Sequence, residues 1–283
     1  MAEVEVLYKD VYKNKDNTCS ITHRKTIGPY NMSSNNIHSE YEIYYLFSDE
    51  RSFFIKDRTF HIQKNEMVFI DSMELHKTTS IGTEAHEIAL IRFKKDFLVT
   101  GNASDDTIFL PFTMKQRVIH LSENEIQFIE SIIYNIINEF KIKKIGYEYY
   151  IKSLLLQLLV FSSRHVEKND RLEEHISPVH EKVSTIVQYI NLNFATPLTL
   201  SSVSKHFYIS PNYLSLIFKE VTGFNFVEYL NILRIKEAQR LLTNSNFKVI
   251  KVAEEVGFGS ISHFARVFKK VTGFSPLNYK KSL

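Results

Sequence analysis

Within the first 118 residues, short apolar runs alternate with polar punctuation. Residues 41–47, 52–56, 59–63, 67–71 and 87–93 are rich in Tyr, Phe, Ile and Val and are parted by polar or charged stretches. Runs of this length and spacing predict β-strands gathered into a small sandwich or barrel. The period then changes. Ser122 and Glu125 form a capping-box pattern, and Ile126, Ile129, Ile132, Ile133, Ile136, Ile137 and Phe140 follow at helical spacing. A second helix is predicted from about 146 to 165, carrying Leu154, Leu155, Leu158, Leu159 and Phe161. This hairpin, residues 119–165, has more apolar surface than a small β domain easily covers; it either packs within its own domain or forms a dimer seam. Residues 166–178 are charged, lack an apolar period and end in Ser-Pro, the pattern of a linker.

Beyond the linker, in residues 179–283, the chain repeats itself. IFKEVTGFNFVEY at 217–229 returns as VFKKVTGFSPLNY at 267–279, with seven of thirteen positions identical. Each copy is preceded by a short helix (200–207, then 249–256), a turn and a Ser N-cap, Ser210 with Pro211 behind it in one and Ser260 in the other. Gly223 and Gly273 are placed to end the second helices. A helix, tight turn and capped second helix is the unit that sets one helix in the major groove while the other braces the backbone. Leu214, Ile217, Phe218 and Val221, and in the repeat Phe264, Val267, Phe268 and Val271, are expected to face inward. Asn212, Ser215, Leu216 and Lys219, with Ile261, Ser262, Ala265, Arg266 and Lys269, are then the expected DNA-facing positions. Between the units, Leu230, Leu233, Ala238, Leu241 and Leu242 fit one helix over 226–242, a rod that would set the units about 34 Å apart, one helical turn of DNA.

Charge sharpens this division. The net charge of +3 over 283 residues conceals 13 Lys+Arg against 6 Glu and no Asp from Pro178 onward, a balance of +7 that leaves −4 for the rest. A basic half suits phosphate binding, although a solvated basic face would look the same by charge alone. With 44% hydrophobic and 24% charged residues the composition is that of a soluble globular protein. Residues 1–10 lack the basic start and apolar core of a signal peptide, and the most apolar run, 153–163, is too short to span a membrane. One cysteine, Cys19, allows no internal disulfide, so a cytoplasmic location is expected.

Residues 179–281 resemble the DNA-binding domain of the AraC/XylS family of bacterial transcription regulators. The resemblance rests on AEEVGFGSISHFARVFKKVTGFSPLNY at 253–279 and YLNILRIKEAQRLL at 229–242. It implies double-stranded DNA and RNA polymerase as partners, a homodimer and, as a family-level expectation, activation. Ser204 stands where the family usually has Ala, and Tyr208 where it usually has a turn Gly. If that turn is left-handed, Tyr208 carries a steric penalty that Gly257 in the second unit does not. Leu216 occupies the place of Arg266, so the second unit is expected to supply more of the grip on DNA.

Residues 37–93 are similar to the cupin-like β-barrel that precedes this domain in many family members, through NEMVFIDSMELH at 65–76. The expected fold is therefore α+β and multidomain: a cupin-like barrel with a helical hairpin, then an all-α domain with two helix-turn-helix units. Cupin enzymes hold a metal with three His and one Glu. Here Glu40 follows His38 where a second His is usual, leaving His38, Glu42 and His76 as a partial set, which could in principle hold an iron-type metal. No metal, cofactor or catalytic residue is expected, because no Gly-rich phosphate loop, Ser-His-Asp order or Cys-His pair is apparent. His38, Glu42, Tyr44, Phe69 and His76 are instead the expected effector contacts, with a sugar as the effector the resemblance most readily implies. An apolar effector, a metal-dependent cupin enzyme fused to a DNA-binding module, and a regulator worked by a partner protein are the alternatives.

Overall fold

The computed structural model describes residues 4–28, 38–81, 85–99, 106–168 and 178–281. They fall into two compact units, Met1–His175 and Ile176–Leu283. Among the described residues no helix is long and apolar enough to cross a membrane.

The first unit runs β1 (Glu5–Lys13), β2 (Cys19–Ile27), β3 (Tyr41–Ser48), β4 (Arg51–Ile55), β5 (Arg58–Ile62), β6 (Glu66–Ile70), β7 (His76–Ser80), β8 (Ala85–Phe93), α1 (Lys95–Leu98), α2 (Leu110–Thr113), β9 (Val118–His120), α3 (Glu123–Ile142) and α4 (Tyr147–Lys168). Its strands pair antiparallel into one sheet ordered β1-β2-β8-β3-β6-β9 and another ordered β5-β4-β7. The expected closed barrel is thus corrected to two open sheets. The sheet also outruns the expected boundary at 118, since Val118–His120 pairs with β6.

Alternation along β3 divides the interior. Ile43 and Tyr45 join one core, while Tyr44 and Leu46 join another with Phe53, Ile55 and Phe60 of the smaller sheet. The helical hairpin covers the first of these cores. Ile129, Ile132, Ile133, Ile136, Ile137 and Phe140 of α3 and Leu154, Leu155, Leu158 and Leu159 of α4 are buried with Phe69, Ile91 and Phe93. Most of the hairpin's apolar surface is therefore satisfied inside its own domain. The predicted capping box forms, with the Ser122 N–H donating to Glu125 at 2.8 Å. α4 continues to Lys168, so the first three residues read as linker are helical. Pro178, read as the linker's break, instead opens the next helix, and 169–177 lie outside the described residues.

The second unit is helical throughout: α5 (Pro178–Asn193), α6 (Leu200–His206), α7 (Pro211–Thr222), α8 (Phe226–Asn244), α9 (Val249–Glu255), α10 (Ile261–Thr272) and α11 (Pro276–Lys281). Helix α8 serves both halves. Phe226 and Tyr229 near its start meet Phe218 of α7, whereas Ile235, Ala238 and Leu242 join Val252, Phe264 and Phe268 of α9 and α10.

Candidate nucleic-acid interface

The sequence identities of the repeat are mostly scaffold. In each copy a Thr hydroxyl donates back to a Phe carbonyl, Thr222 to Phe218 at 2.6 Å and Thr272 to Phe268 at 2.8 Å. Each Thr oxygen also accepts the N–H of the Phe that follows the Gly, from Phe224 at 3.1 Å and Phe274 at 3.2 Å. Gly223 and Gly273 take φ +74° and +81° as left-handed helix ends, where a Cβ is penalised. Edge-on rings complete the motif, Phe218–Tyr229 and Phe268–Tyr279, both with centroids 5.5 Å apart. Burial is less symmetric. Val221 is buried, but Val271, expected to face inward, is 39% exposed and Val267 is half-buried, so the inward stripe of α10 is narrower than its pattern predicts. Short α11 stands where the first copy has all of α8.

The opposite faces of α7 and α10 are open. Asn212, Ser215, Leu216 and Lys219 are exposed, as are Ile261, Ser262, Arg266 and Lys269; Ala265 is half-buried. Ser210 and Ser260 cap the two helices by accepting from the N–H of Tyr213 and His263. Those two residues are themselves exposed in the first turn, the part of a recognition helix that reaches base edges. Neither belongs to the identical positions of the repeat, though aligning the two N-caps pairs Tyr213 with His263. Lys219, Arg266, Lys269 and Lys270 have no ion-pair partner among the described residues, whereas Arg240 and Lys251 are tied to Glu237 and Glu255. Their charge is therefore available to phosphates.

The two turns share one geometry. In the first, Tyr208 N–H donates to Lys205 and Ile209 N–H to Ser204; in the second, Gly257 donates to Glu254 and Phe258 to Ala253. These are Schellman ends, with the left-handed position filled by Tyr208 at φ +55° and by Gly257 at φ +86°. The expected penalty at Tyr208 is therefore present. Its ring is 96% exposed, so no packing offsets the strain. Ser204, the other departure, is accommodated inside α6 by donating to the Ser201 carbonyl at 3.0 Å. Tyr208→Gly is expected to raise stability by about 0.5–1 kcal/mol, the left-handed strain relieved less the entropy glycine loses. A lower melting temperature in that variant would contradict this account.

In the first unit the structure brings three of the five expected effector residues together. His38 Nε2 lies 3.0 Å from Glu42 Oε2, and His76 Nε2 lies 3.8 Å from Glu42 Oε1. Arg92 Nε donates to Glu42 Oε2 at 2.7 Å. Burial alone would raise the Glu42 carboxyl, but His76, His38 and Arg92 outweigh it and hold it down at about 2. Burial lowers the His76 imidazole, against the opposing pull of the Glu42 carboxylate. Tyr44 is fully packed against Phe53 on the Glu42 side of the sheet. Phe69 is on the other side, buried against Phe112 in the helix-covered core, because it pairs with Ile43 rather than with Glu42. Phe69 is therefore corrected from a site residue to a core residue.

Residues 203–282 match the helix-turn-helix domain family model. The chain is 43% identical over 96 residues to the uncharacterized HTH-type transcriptional regulator YijO of Escherichia coli, covering 34% of each protein. It is 30% identical over 107 residues to the regulatory protein PocR of Salmonella typhimurium, covering 38% of this chain and 35% of PocR. Similarity thus spans about a third of the length of these curated relatives. Among solved structures, the C-terminal domain of AraT, a response regulator from Geobacillus stearothermophilus, is 32% identical over 39% of this chain and 89% of its own, with a TM-score of 0.36. Fatty-acid-bound ToxT from Vibrio cholerae aligns over 100% of this chain and 98% of its own at 18% identity and a TM-score of 0.37. The C-terminal unit of this chain carries a helix-turn-helix domain over residues 203–282.

Proposed function

We propose that the chain is a sequence-specific transcription regulator, more an activator than a repressor, whose N-terminal unit receives the controlling signal. The observation that carries this reading is the matched pair of capped helices α7 and α10, each presenting an open polar or basic face. A small-molecule effector at the His38–Glu42–His76 cluster is the favoured signal, since buried polar groups inside an apolar sandwich are costly without a task. Nothing specific supports a sugar: Tyr44 and Phe69 are buried on opposite sides of one sheet and offer no stacking surface. Homodimerisation is assigned to the outer side of the hairpin. There Phe128, Leu156, Val160 and Phe161, with Glu125 and Arg164, line a cavity of about 670 Å³. RNA polymerase and operator DNA complete the set of partners, and the cytoplasm is the expected location.

The DNA reading is tested with operator fragments selected from a random-sequence pool by the full chain. At fixed salt, Arg266→Ala is expected to weaken binding by about 5–150-fold, the range for losing one good bidentate base contact. Leu216→Ala is expected to stay within about twofold, since an alkyl side chain makes no hydrogen bond to a base. Equal losses in the two variants would remove the assignment of the stronger grip to the second unit.

A further inference from the structure

The His38–Glu42–His76 cluster also poses a hydrogen-bonding problem that its residues do not solve. His76 and Glu42 are both fully buried. His76 Nδ1 sits 2.9 Å from the Glu74 carbonyl, an acceptor only, so Nδ1 carries the proton and donates. The ring's other nitrogen, Nε2, faces Glu42 Oε1 across 3.8 Å, and neither atom has a hydrogen-bond partner among the described residues. Fully buried polar atoms that face one another without a hydrogen bond are an arrangement that proteins avoid.

His38 repeats the pattern. Its Nδ1 is 3.0 Å from the Glu40 carbonyl, and its Nε2 points to the same carboxylate. Arg92 holds Oε2 from one side, which leaves Oε1 turned toward His76. One ring nitrogen each of His38 and His76 and a carboxylate oxygen of Glu42 all lie within 4.8 Å of one another. A tetrahedral ion with bonds of about 2.0–2.1 Å sets its ligand atoms roughly 3.4 Å apart, so small side-chain shifts close the set. Imidazoles oriented by a carbonyl on Nδ1 are also how proteins commonly support histidine ligands.

We propose that His38, Glu42 and His76 bind one divalent first-row transition ion. Two imidazoles and one carboxylate suit the borderline cations, Zn²⁺, Fe²⁺ and Co²⁺, rather than Mg²⁺ or Ca²⁺. The spacing of these residues in the sequence shows only a partial set; the opposed, unpartnered atoms are visible only once β3 and β7 are placed. Glu42 belongs to the larger sheet and His76 to the smaller, so the ion ties the two sheets together. Three protein ligands leave a coordination position for water or for an atom of an effector. The inference does not depend on the chain's being a regulator.

The test uses the full chain, stripped with chelator and then freed of it. Titration with Co²⁺, read by its visible absorption, and with Zn²⁺, read by calorimetry, is expected to give one ion per chain. Zn²⁺ at a hundred times its dissociation constant is expected to raise the melting temperature of the first unit, as any ligand of the folded state does. His76→Gln and His38→Gln are each expected to weaken binding by at least tenfold, and His120→Gln, outside the cluster, to leave it unchanged. Melting of the metal-free variants checks their folding, and if His76→Gln does not fold, half-buried His38 decides. Absence of stoichiometric binding, or binding that survives His38→Gln, overturns the proposal.

Discussion

Gly257→Ala is expected to destabilise the C-terminal unit by about 3 kcal/mol or more, whereas Gly273→Ala costs about 1 kcal/mol. Both glycines have positive φ, +86° and +81°, so both variants carry the left-handed penalty of an L side chain. They differ in their surroundings. A Cβ on Gly273 meets nothing within 4 Å, but on Gly257 it would stand 2.5 Å from the backbone oxygen of Ala195 and 2.8 Å from its carbonyl carbon. Backbone cannot rotate aside as a flexible side chain can, so either the 194–196 segment or the turn must move. For a unit of this size each kcal/mol lowers the melting temperature by about 4–8 °C. Calorimetry of the full chain should therefore show the C-terminal transition fall by on the order of 15 °C for Gly257→Ala and by a third of that for Gly273→Ala. Equal shifts would mean that conformation alone, without the close approach, accounts for Gly257.

The same contrast separates what could be read along the chain from what could not. Aligning the ends of the two first helices, Ser204 with Ala253, sets Tyr208 against Gly257 and raises the question of left-handed strain, because that strain is a local property of one turn. It could not reveal that Gly257 also touches Ala195, which is 62 residues away and brought near only by tertiary packing. In the first unit β3, β6 and β8 are legible because their two faces meet apolar cores, and β4 and β5 because Phe53, Ile55, Phe60 and Ile62 alternate into one, so all five appear close to the expected positions. β1 was not: it is an edge strand with both faces largely exposed, and its burial imposes no alternation. β7, His-Lys-Thr-Thr-Ser, is polar in composition and carries its one fully buried ring on His76. That strand holds the smaller sheet's part of the candidate site, so the site's residues were legible singly and their opposition across the sheets was not. Helix α5 carries a stripe at helical spacing, Val183, Ile186, Val187 and Ile190, but it precedes the first copy of the repeat and shares none of its motif.

Arg234→Ala is expected to cost about 3–4 kcal/mol, although Arg234 lies on none of the faces assigned to DNA. In a basic domain an arginine invites a phosphate role, but this one is only 9% exposed. Its Nε donates to the Phe194 carbonyl and its NH2 to the Thr196 carbonyl, both at 2.8 Å, and its guanidinium lies 5.6 Å from the centre of the Phe258 ring. Burial lowers its pKa, yet a guanidinium remains charged at any working pH. Hydrogen bonds from a charged donor contribute about 1.5–3 kcal/mol each and the cation–π contact about 0.5–2, with incomplete additivity setting the expected total. Arg234 thus joins α8, the segment after α5 and the turn of the second unit at the junction where Gly257 meets Ala195. Lys in its place offers one compact ammonium for two carbonyls and is expected to recover less than half of the loss. Because the contacts are buried, the loss should be the same at low and high salt. Any loss of DNA affinity in Arg234→Ala should likewise keep the wild-type salt slope, since no phosphate contact has been removed. A variant that keeps its melting temperature but binds DNA with a shallower salt dependence would instead place Arg234 on the phosphate backbone. Combining Arg234→Ala with Gly257→Ala gives the sharper result. Both act on the 194–196 segment, so their effects should fall short of additive by 0.5 kcal/mol or more, whereas independent sites would add.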